Sequence, residues 1–148
     1  GQSPAGATHL IKVAVEAALG KRESVSIFGD DFDTPDGTGV RDYIHVTDLA
    51  AAHLLALEAL IAQPARSHLL NCGYGRGFSV LEVLDAVDRA TNNPIRRVMT
   101  GRRAGDPGKL ISDNSAILQT FPWQPRYADL DQIVAHALAW ERTLGDRA

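Results

Sequence analysis

Arginine residues in two glycine-containing stretches are the side chains of this sequence best suited to bind an anion, and each stretch also carries an aspartate. Arg41 and Asp42 follow one such stretch, and Arg102, Arg103 and Asp106 lie in another. The chain has twelve Arg and three Lys, and the planar guanidinium of Arg suits phosphate and carboxylate groups. Two arginine-bearing loops could clamp a pyrophosphate, and a neighbouring Asp could accept hydrogen bonds from ribose hydroxyls. The spacing also fits two surface loops with ordinary solvated arginines.

A Gly-x-Gly-x-Gly stretch at residues 73–77 lies between a predicted strand and a predicted helix, where a dinucleotide-binding fingerprint would lie. That fingerprint needs its third glycine one place later, where this chain has Phe78. No acidic residue follows at the end of a second strand. The pattern therefore favours a tight structural turn over a cofactor site, although Arg76 could reach an anion from this turn.

The acidic stretch at residues 30–37 resembles the start of a calcium-binding EF-hand loop. Counted from Asp31, however, Pro35 falls on a ligand position and Asp36 falls where the sharp-turn glycine belongs. We therefore expect a solvated loop with Asx turns. The five histidines show no metal-ligand spacing, and the single cysteine, Cys72, is expected to be a buried structural thiol.

Length and composition predict one globular domain. The chain has 148 residues, of which 45% are hydrophobic and 22% charged. The net charge of −3 argues against a nucleic-acid partner, and the longest apolar run, residues 49–61, is too short and too polar to span a membrane. One cysteine excludes an internal disulfide, so a reducing cytoplasm is the simplest compartment. Because the chain starts at Gly1 and its only Met is Met99, we expect a fragment or a processed product.

Helices and short strands alternate along the chain, which predicts an α/β class with an α+β-like arrangement of few strands and four to five helices. Strands are predicted at residues 24–28, 41–46, 68–72 and 95–99. Helices are predicted at residues 8–19, 47–61 and 79–92, after Asp113, and from Asp129 to beyond Trp140. Gly20 is predicted to end the first helix. The predicted N-terminal caps of the other four are, in chain order, Thr47 or Asp48, the capping box of Ser79 with Glu82, Asp113, and Asp129 with Gln132.

Residues 28–50, FGDDFDTPDGTGVRDYIHVTDLA, resemble the signature of UDP-glucose 4-epimerases, which are members of the extended short-chain dehydrogenase/reductase superfamily. The RDYIHV part is shared in looser form across that superfamily, whereas the TxDGTGxRDYIHV combination is more specific to the epimerases. Residues 71–83, residues 102–107 and the WQPRY of residues 123–127 match in the same order. The resemblance covers nearly the whole chain and corresponds to the carboxy-terminal half of such an enzyme.

The resemblance implies a sugar-nucleotide-binding role for residues 1–148 as one substrate-binding domain. The segment Thr8, His9 and Leu10 matches residues that line the pyrophosphate and sugar. Ser26 and Phe28 match positions that hold the uracil. The remaining matches are Arg41 and Arg103 for the pyrophosphate, Asp106 for the ribose, and Leu110 at a wall that limits an N-acetyl group. Leu110 is intermediate in size, which favours UDP-glucose and UDP-galactose over the N-acetylated pair.

The resembled enzymes oxidise the sugar C4 by hydride transfer to NAD, turn the 4-keto sugar about its pyrophosphate and return the hydride. They use a Tyr-x-x-x-Lys pair and an amino-terminal NAD-binding Rossmann domain, and this sequence contains neither. We therefore expect the chain alone to be inactive, with the missing NAD domain and a UDP-sugar as its partners. Because the side that would pack on that domain is exposed, we also expect a homo-dimer or other self-association, with residues 68–72 as the pairing edge. The alternatives are the substrate domain of another nucleotide-sugar dehydratase, decarboxylase or epimerase, and a non-catalytic binding or interaction module.

Overall fold

The computed structural model describes residues 8–145. In this part of the chain there are five helices and five short strands, in agreement with the predicted class. The helices are α1 (Leu10–Ala18), α2 (Val46–Ala62), α3 (Val80–Thr91), α4 (Ser115–Thr120) and α5 (Leu130–Gly145). The strands are β1 (Val25–Phe28), β2 (Val40–Arg41), β3 (Phe78–Ser79), β4 (Arg97–Thr100) and β5 (Lys109–Leu110). No helix within residues 8–145 combines the length and the apolar character needed to cross a membrane.

Two small sheets place the two arginine-bearing loops beside each other. Strands β1 and β4 are parallel, with Val25 opposite Arg97 and Phe28 opposite Thr100. The loops at residues 29–39 and 101–108 therefore leave this sheet from the same edge, at the carboxyl ends of both strands. The second sheet has the order β3-β2-β5 and fixes where these loops end, because β2 pairs antiparallel with β3 and parallel with β5.

The main core forms where helices α1, α3 and α5 pack together and against β1. Alternation along β1 buries Val25 and Ile27 and leaves Ser26 exposed. The buried members from the helices include Ala14, Val15, Val83, Leu84, Val87, Val134 and Leu138. Glu141 on α5 is 2% exposed and forms ion pairs with Lys12 of α1 and with Lys21, the latter at 2.7 Å. These pairs tie α1 to α5 beside the apolar core.

A second, smaller cluster packs one face of α2 against the segment that follows α4. Its buried members are Ala52, Ile117, Phe121 and Trp123. The opposite face of α2, which we call the α2 apolar face, carries Val46, Leu54, Leu57, Leu60 and Ile61, each between 45% and 71% exposed. Helix α2 is therefore apolar on two opposite faces, and other described segments pack against only one of them.

Two predicted strands are wrong. Residues 68–72 alternate as a strand would, with Leu70 and Cys72 packed on the second cluster and Leu69 99% exposed. They form no strand, because no other described segment pairs with their backbone. The strand predicted at residues 41–46 ends after Arg41, and helix α2 already begins at Val46.

The helix boundaries follow the predicted end signals with two corrections. The capping box of Ser79 and Glu82 is present at α3, Gly20 follows α1 with a φ of 74°, and Asp129 Oδ1 accepts a hydrogen bond from Gln132 N at α5. The N-cap of α2 is His45 and not Thr47 or Asp48; its Nδ1 accepts from Thr47 N at 3.1 Å. At α4 the N-cap is Asn114, one residue after the predicted Asp113.

Candidate functional site

A cavity of 420 Å³ lies along β1, between α1 and the 101–108 loop, and we call it the first cavity. Seven of the nine residues to which the sequence resemblance assigns substrate contacts line it: Thr8, Leu10, Ser26, Phe28, Arg41, Arg103 and Asp106. They come from α1 and the residues just before it, from β1 and β2, and from the 101–108 loop. Residues far apart in the chain therefore share one concave, partly charged surface, the usual form of a small-molecule site.

Arg41 and Arg103 reach the first cavity from different elements. Arg41 lies on β2, where its Nη1 donates a hydrogen bond to the Val40 carbonyl at 2.9 Å. Arg103 lies in the 101–108 loop with its Cζ 3.5 Å from the centre of the Phe28 ring. Asp106 follows in the same loop, which Asp106 N closes by donating to the Arg103 carbonyl at 3.2 Å. The arrangement brings two guanidinium groups and one carboxylate to one opening.

The cavity also has lining residues that the sequence analysis missed, including Val13, Phe32, Gly39, Tyr43 and Val80. Burial raises the pKa of the Tyr43 hydroxyl to about 12, against the opposing effect of Arg41. Phe32 is 8% exposed although it lies in a loop of acidic residues. An aromatic residue in so polar a stretch is the signal that could have identified it, because a buried ring in a loop needs a packing partner.

Internal hydrogen bonds fix the loop at residues 29–39. Asp36 Oδ1 accepts from Thr38 N at 2.9 Å and from Thr38 Oγ1 at 2.7 Å, and Asp36 Oδ2 accepts from Ser79 Oγ. Burial opposes ionisation of Asp36, but the hydrogen bonds from Ser79 and Thr38 outweigh it and hold the pKa of this carboxyl below its usual value. One Asp36 oxygen thus serves the loop and the other connects it to Ser79 at the start of α3. Within residues 8–145 no group of three potential ligands could hold a metal ion.

Two of the glycines at residues 73–77 lie so close to other segments of the chain that a side chain would not fit there. A Cβ on Gly73 would overlap Ser112 and Asp42, and a Cβ on Gly77 would lie 2.5 Å from Val40 Cγ1. These glycines allow close packing against the same chain, which is the structural turn that the sequence favoured. The residues of this turn do not fit a dinucleotide cofactor.

Asp42 faces this turn and not the first cavity. Its carboxylate accepts hydrogen bonds from Tyr74 N and Gly75 N, both at 3.1 Å, and from Ser112 Oγ at 2.5 Å. The Asp42 side chain thus holds the segment between β2 and α2 against this turn. Of the two Asp residues beside an arginine, Asp106 and not Asp42 therefore lines the first cavity.

Two of the predicted site residues lie outside the first cavity. Leu110 pairs with Arg41 in the second sheet, is 61% exposed and is not among the lining residues. The expected preference for non-acetylated sugars therefore rests on the sequence resemblance alone. His9 lies at a second cavity, of 600 Å³, between α1 and α5.

The second cavity contains a pair of hydrogen-bonded histidines. His45 Nε2 lies 2.9 Å from His136 Nδ1. Because His45 Nδ1 accepts from the Thr47 backbone, the neutral His45 ring carries its proton on Nε2 and donates it to His136. Burial lowers the pKa of His45, His136 lowers it further, and Asp48 opposes both effects.

Comparisons with known proteins agree with the resemblance in the sequence. The model of the NAD dependent epimerase/dehydratase family matches residues 1–73. The UDP-glucose 4-epimerase of Azospirillum brasilense is 49% identical over 144 residues, which are 97% of this chain and 41% of that protein.

Two solved structures give the same result for the fold. The UDP-Glc/GlcNAc 4-epimerase from Campylobacter jejuni has 49% identity and a TM-score of 0.82, over 97% of this chain and 43% of that one. The UDP-glucose-4-epimerase from Stenotrophomonas maltophila, solved with bound NAD and formylated UDP-arabinopyranose, has 39% identity and a TM-score of 0.93, over 100% and 44%.

The fold is therefore that of a part of an extended short-chain dehydrogenase/reductase. Among proteins of that class, the chain is similar over nearly its whole length to UDP-glucose 4-epimerases, as its motifs predicted. It spans about two fifths of the length of the curated relatives that it matches, 41% and 42% for two of them.

Proposed function

We propose that the chain is the carboxy-terminal, UDP-sugar-binding part of a UDP-glucose 4-epimerase, an NAD-dependent isomerase of galactose metabolism in the cytoplasm. The observation that carries this proposal is the first cavity, which brings together seven residues assigned to substrate contacts by the resemblance. Similarity to 4-epimerases over 97% of the chain supports the same function.

The uracil would lie against β1. One edge of β1 pairs with β4, and no other described strand pairs with the second edge. Free N–H and C=O groups on a strand edge are able to pair with a nucleobase. Ser26 and Phe28, both on β1, line the cavity. The proposed role of these two residues is to hold the base by the backbone and the ring.

The diphosphate would lie between Arg41 and Arg103, and the ribose hydroxyls would donate to Asp106. A diphosphate carries its charge on several oxygens, so donors approaching from two elements hold it in one orientation better than donors on one element alone. Anchoring of this kind uses the binding energy of a group that does not react. In the proposed enzyme it would keep UDP fixed while the hexose turns.

The redox chemistry belongs to the part of the protein outside this chain. NAD accepts and returns a hydride when it is bound, but in the turn at residues 73–77 the backbone N–H groups of Tyr74 and Gly75 already donate to Asp42. The chain also contains no Tyr-x-x-x-Lys pair. We therefore propose that the chain alone neither binds NAD tightly nor catalyses epimerisation.

Substitution of the two arginines tests the proposed function. In the full-length protein, Arg41→Ala and Arg103→Ala are each expected to weaken UDP binding by about ten- to hundredfold, since a hydrogen bond to a charged group contributes roughly 1.5–3 kcal/mol. Isothermal titration calorimetry with UDP measures the effect. Arg66→Ala is the matched control, because Arg66 is exposed and lies outside the first cavity. Unchanged UDP affinity in both arginine variants would refute the proposed site.

A further inference from the structure

We propose that Arg102 is a positioning residue, which fastens the 101–108 loop to the 29–39 loop and so presents Arg103 and Asp106 to the ligand. The inference rests on the proposed function, because it concerns the same first cavity. Arg102 itself is not among the residues that line this cavity. It acts through the loop that carries two of them.

Arg102 contacts the 29–39 loop in three ways. Its Nε donates to Asp31 Oδ1 at 2.6 Å, and its Nη2 donates to the Asp31 carbonyl. Its Cζ lies 4.2 Å from the centre of the Phe32 ring. One guanidinium therefore binds a carboxylate, a backbone carbonyl and an aromatic face of a single neighbouring loop, a combination for which Lys lacks the geometry.

The close approach of the two loops depends on a glycine. Gly29 has a φ of 92°, and a Cβ there would lie 2.8 Å from Arg102 Cγ and 2.7 Å from Phe32 Cε2. The aliphatic part of Arg102 thus packs over the backbone of Gly29 where β1 ends. Phe32 also lies close to Gly108, at the end of the arginine loop.

Arg102 and Arg103 are adjacent in the chain but make different contacts. Arg102 contacts Phe32 and Asp31, whereas Arg103 contacts the Phe28 ring, and no salt bridge of Arg103 is found within the described residues. The contacts of Arg102 fix the backbone from which Arg103 projects. If the contacts of Arg102 are lost, the 101–108 loop samples other conformations. The apparent affinity for UDP then falls in proportion to the fraction of molecules whose loop still has the binding conformation.

Substitution of Asp31 separates positioning from simple charge effects. Asp31 is an acid near a site for an anion, so removing its charge alone would strengthen UDP binding. Positioning predicts the opposite sign for Asp31→Ala: weakening of about three- to tenfold if a third to a tenth of the molecules keep the competent loop. Asp33→Ala is the matched control, since Asp33 is exposed in the same loop and forms no ion pair with Arg102.

The experiment is a calorimetric titration of UDP into the full-length protein and its variants, with thermal unfolding measured in parallel. We expect Arg102→Ala and Asp31→Ala to weaken UDP binding, and the double variant to be no weaker than Arg102→Ala, because both remove one connection. The melting temperature is expected to change little, since the Arg102–Asp31 pair is exposed.

Each outcome decides between the two proposals. If Arg103→Ala weakens binding while Asp31→Ala leaves it unchanged or strengthens it, the positioning role of Arg102 is wrong and the proposed function stands. If Arg103→Ala and Arg41→Ala have no effect, the proposed function fails. If the two loop variants instead unfold at much lower temperature, Arg102 has a structural role and the inference is overturned.

Discussion

The face of the Arg103 guanidinium is covered by the Phe28 ring, with Cζ 3.5 Å from the ring centre. The N–H groups of a guanidinium lie in its plane, so stacking leaves them free to donate to an anion. An ammonium group at the same place would lose both the stacking and the planar set of donors. At the scale of single residues, an aromatic ring therefore orients the charge that we propose binds the diphosphate.

The burial of His45 leads us to predict that the free energy of unfolding of this chain depends on pH. Its pKa in the folded chain lies below the ordinary value of 6.5, mainly because of burial. The unfolded chain therefore binds more protons as the pH falls through about 6.5, and the free energy of unfolding is expected to decrease between pH 7.5 and 5.5. The groups facing His45 are His136 on α5, Tyr127, and Asp48 on α2.

The variant His45→Asn is expected to reduce this pH dependence. Asn can still accept the hydrogen bond from Thr47 N as an N-cap residue but does not titrate. Chemical denaturation at a series of pH values measures the effect, with His53→Asn as the control, because His53 is exposed on the same helix. Asp48 and Glu141, whose carboxyl pKa values are lowered, lose their contribution to stability only below about pH 4.5, which is outside the pH range in which His45 titrates. An unchanged slope in His45→Asn would contradict the prediction.

At the scale of elements, Asp48 connects the first turn of α2 to two other segments. Its carboxylate accepts from Tyr74 Oη at 2.6 Å and from the backbone N of Arg126 and Tyr127 at 3.0 and 2.8 Å. Burial opposes its ionisation, but these hydrogen bonds hold the pKa of the carboxyl below its usual value. A residue that the sequence suggested as a helix cap instead holds three segments together.

Tyr74→Phe removes the hydrogen bond to Asp48, together with the one that Tyr74 Oη accepts from His45 N at 3.1 Å, and leaves the ring in place. We expect it to lower the free energy of unfolding by roughly 1.5–3 kcal/mol, the usual contribution of a hydrogen bond to a charged group. Tyr127→Phe is the matched control, because its backbone N, and not its side chain, donates to Asp48. Equal denaturation midpoints for Tyr74→Phe and the unmodified chain would show that the bond contributes nothing.

The sequence predicted helix ends correctly where residues close in the chain determine them. The Ser79 and Glu82 box and the glycine after α1 are examples. The strand predicted at residues 68–72 failed because alternation reports which side chains are buried, and not whether a partner strand exists. For the same reason the sequence missed Phe32 and Tyr43 in the first cavity: their burial depends on segments distant in the chain.

At the scale of the whole molecule, the α2 apolar face stands out because several large apolar side chains on it are exposed within residues 8–145. Its five residues span four turns of one helix. Monomeric proteins rarely expose apolar patches of more than a few hundred Å². The chain also spans only 41% of the A. brasilense relative, so the rest of such a protein is available to cover this face.

We expect the 148-residue chain to self-associate through the α2 apolar face, and not through a strand at residues 68–72. Light scattering at two concentrations is expected to give a mass that rises above 15.9 kDa. Leu54→Glu with Leu57→Glu should restore a monomer, since both side chains are more than half exposed. Leu118→Glu, an exposed leucine on α4, is the control. A constant monomer mass at both concentrations would reject self-association.

The indole of Trp123, buried in the second cluster, donates to the Asp48 carbonyl at 3.0 Å, while Trp140 borders the second cavity. Neither tryptophan lines the first cavity. We therefore expect the tryptophan fluorescence of this chain to report the unfolding of α2 and α5. It should not change when a nucleotide binds in the first cavity next to Arg41. Tyr43 does line that cavity, so tyrosine emission, recorded in a variant without tryptophan, is the optical signal that ligand binding would change.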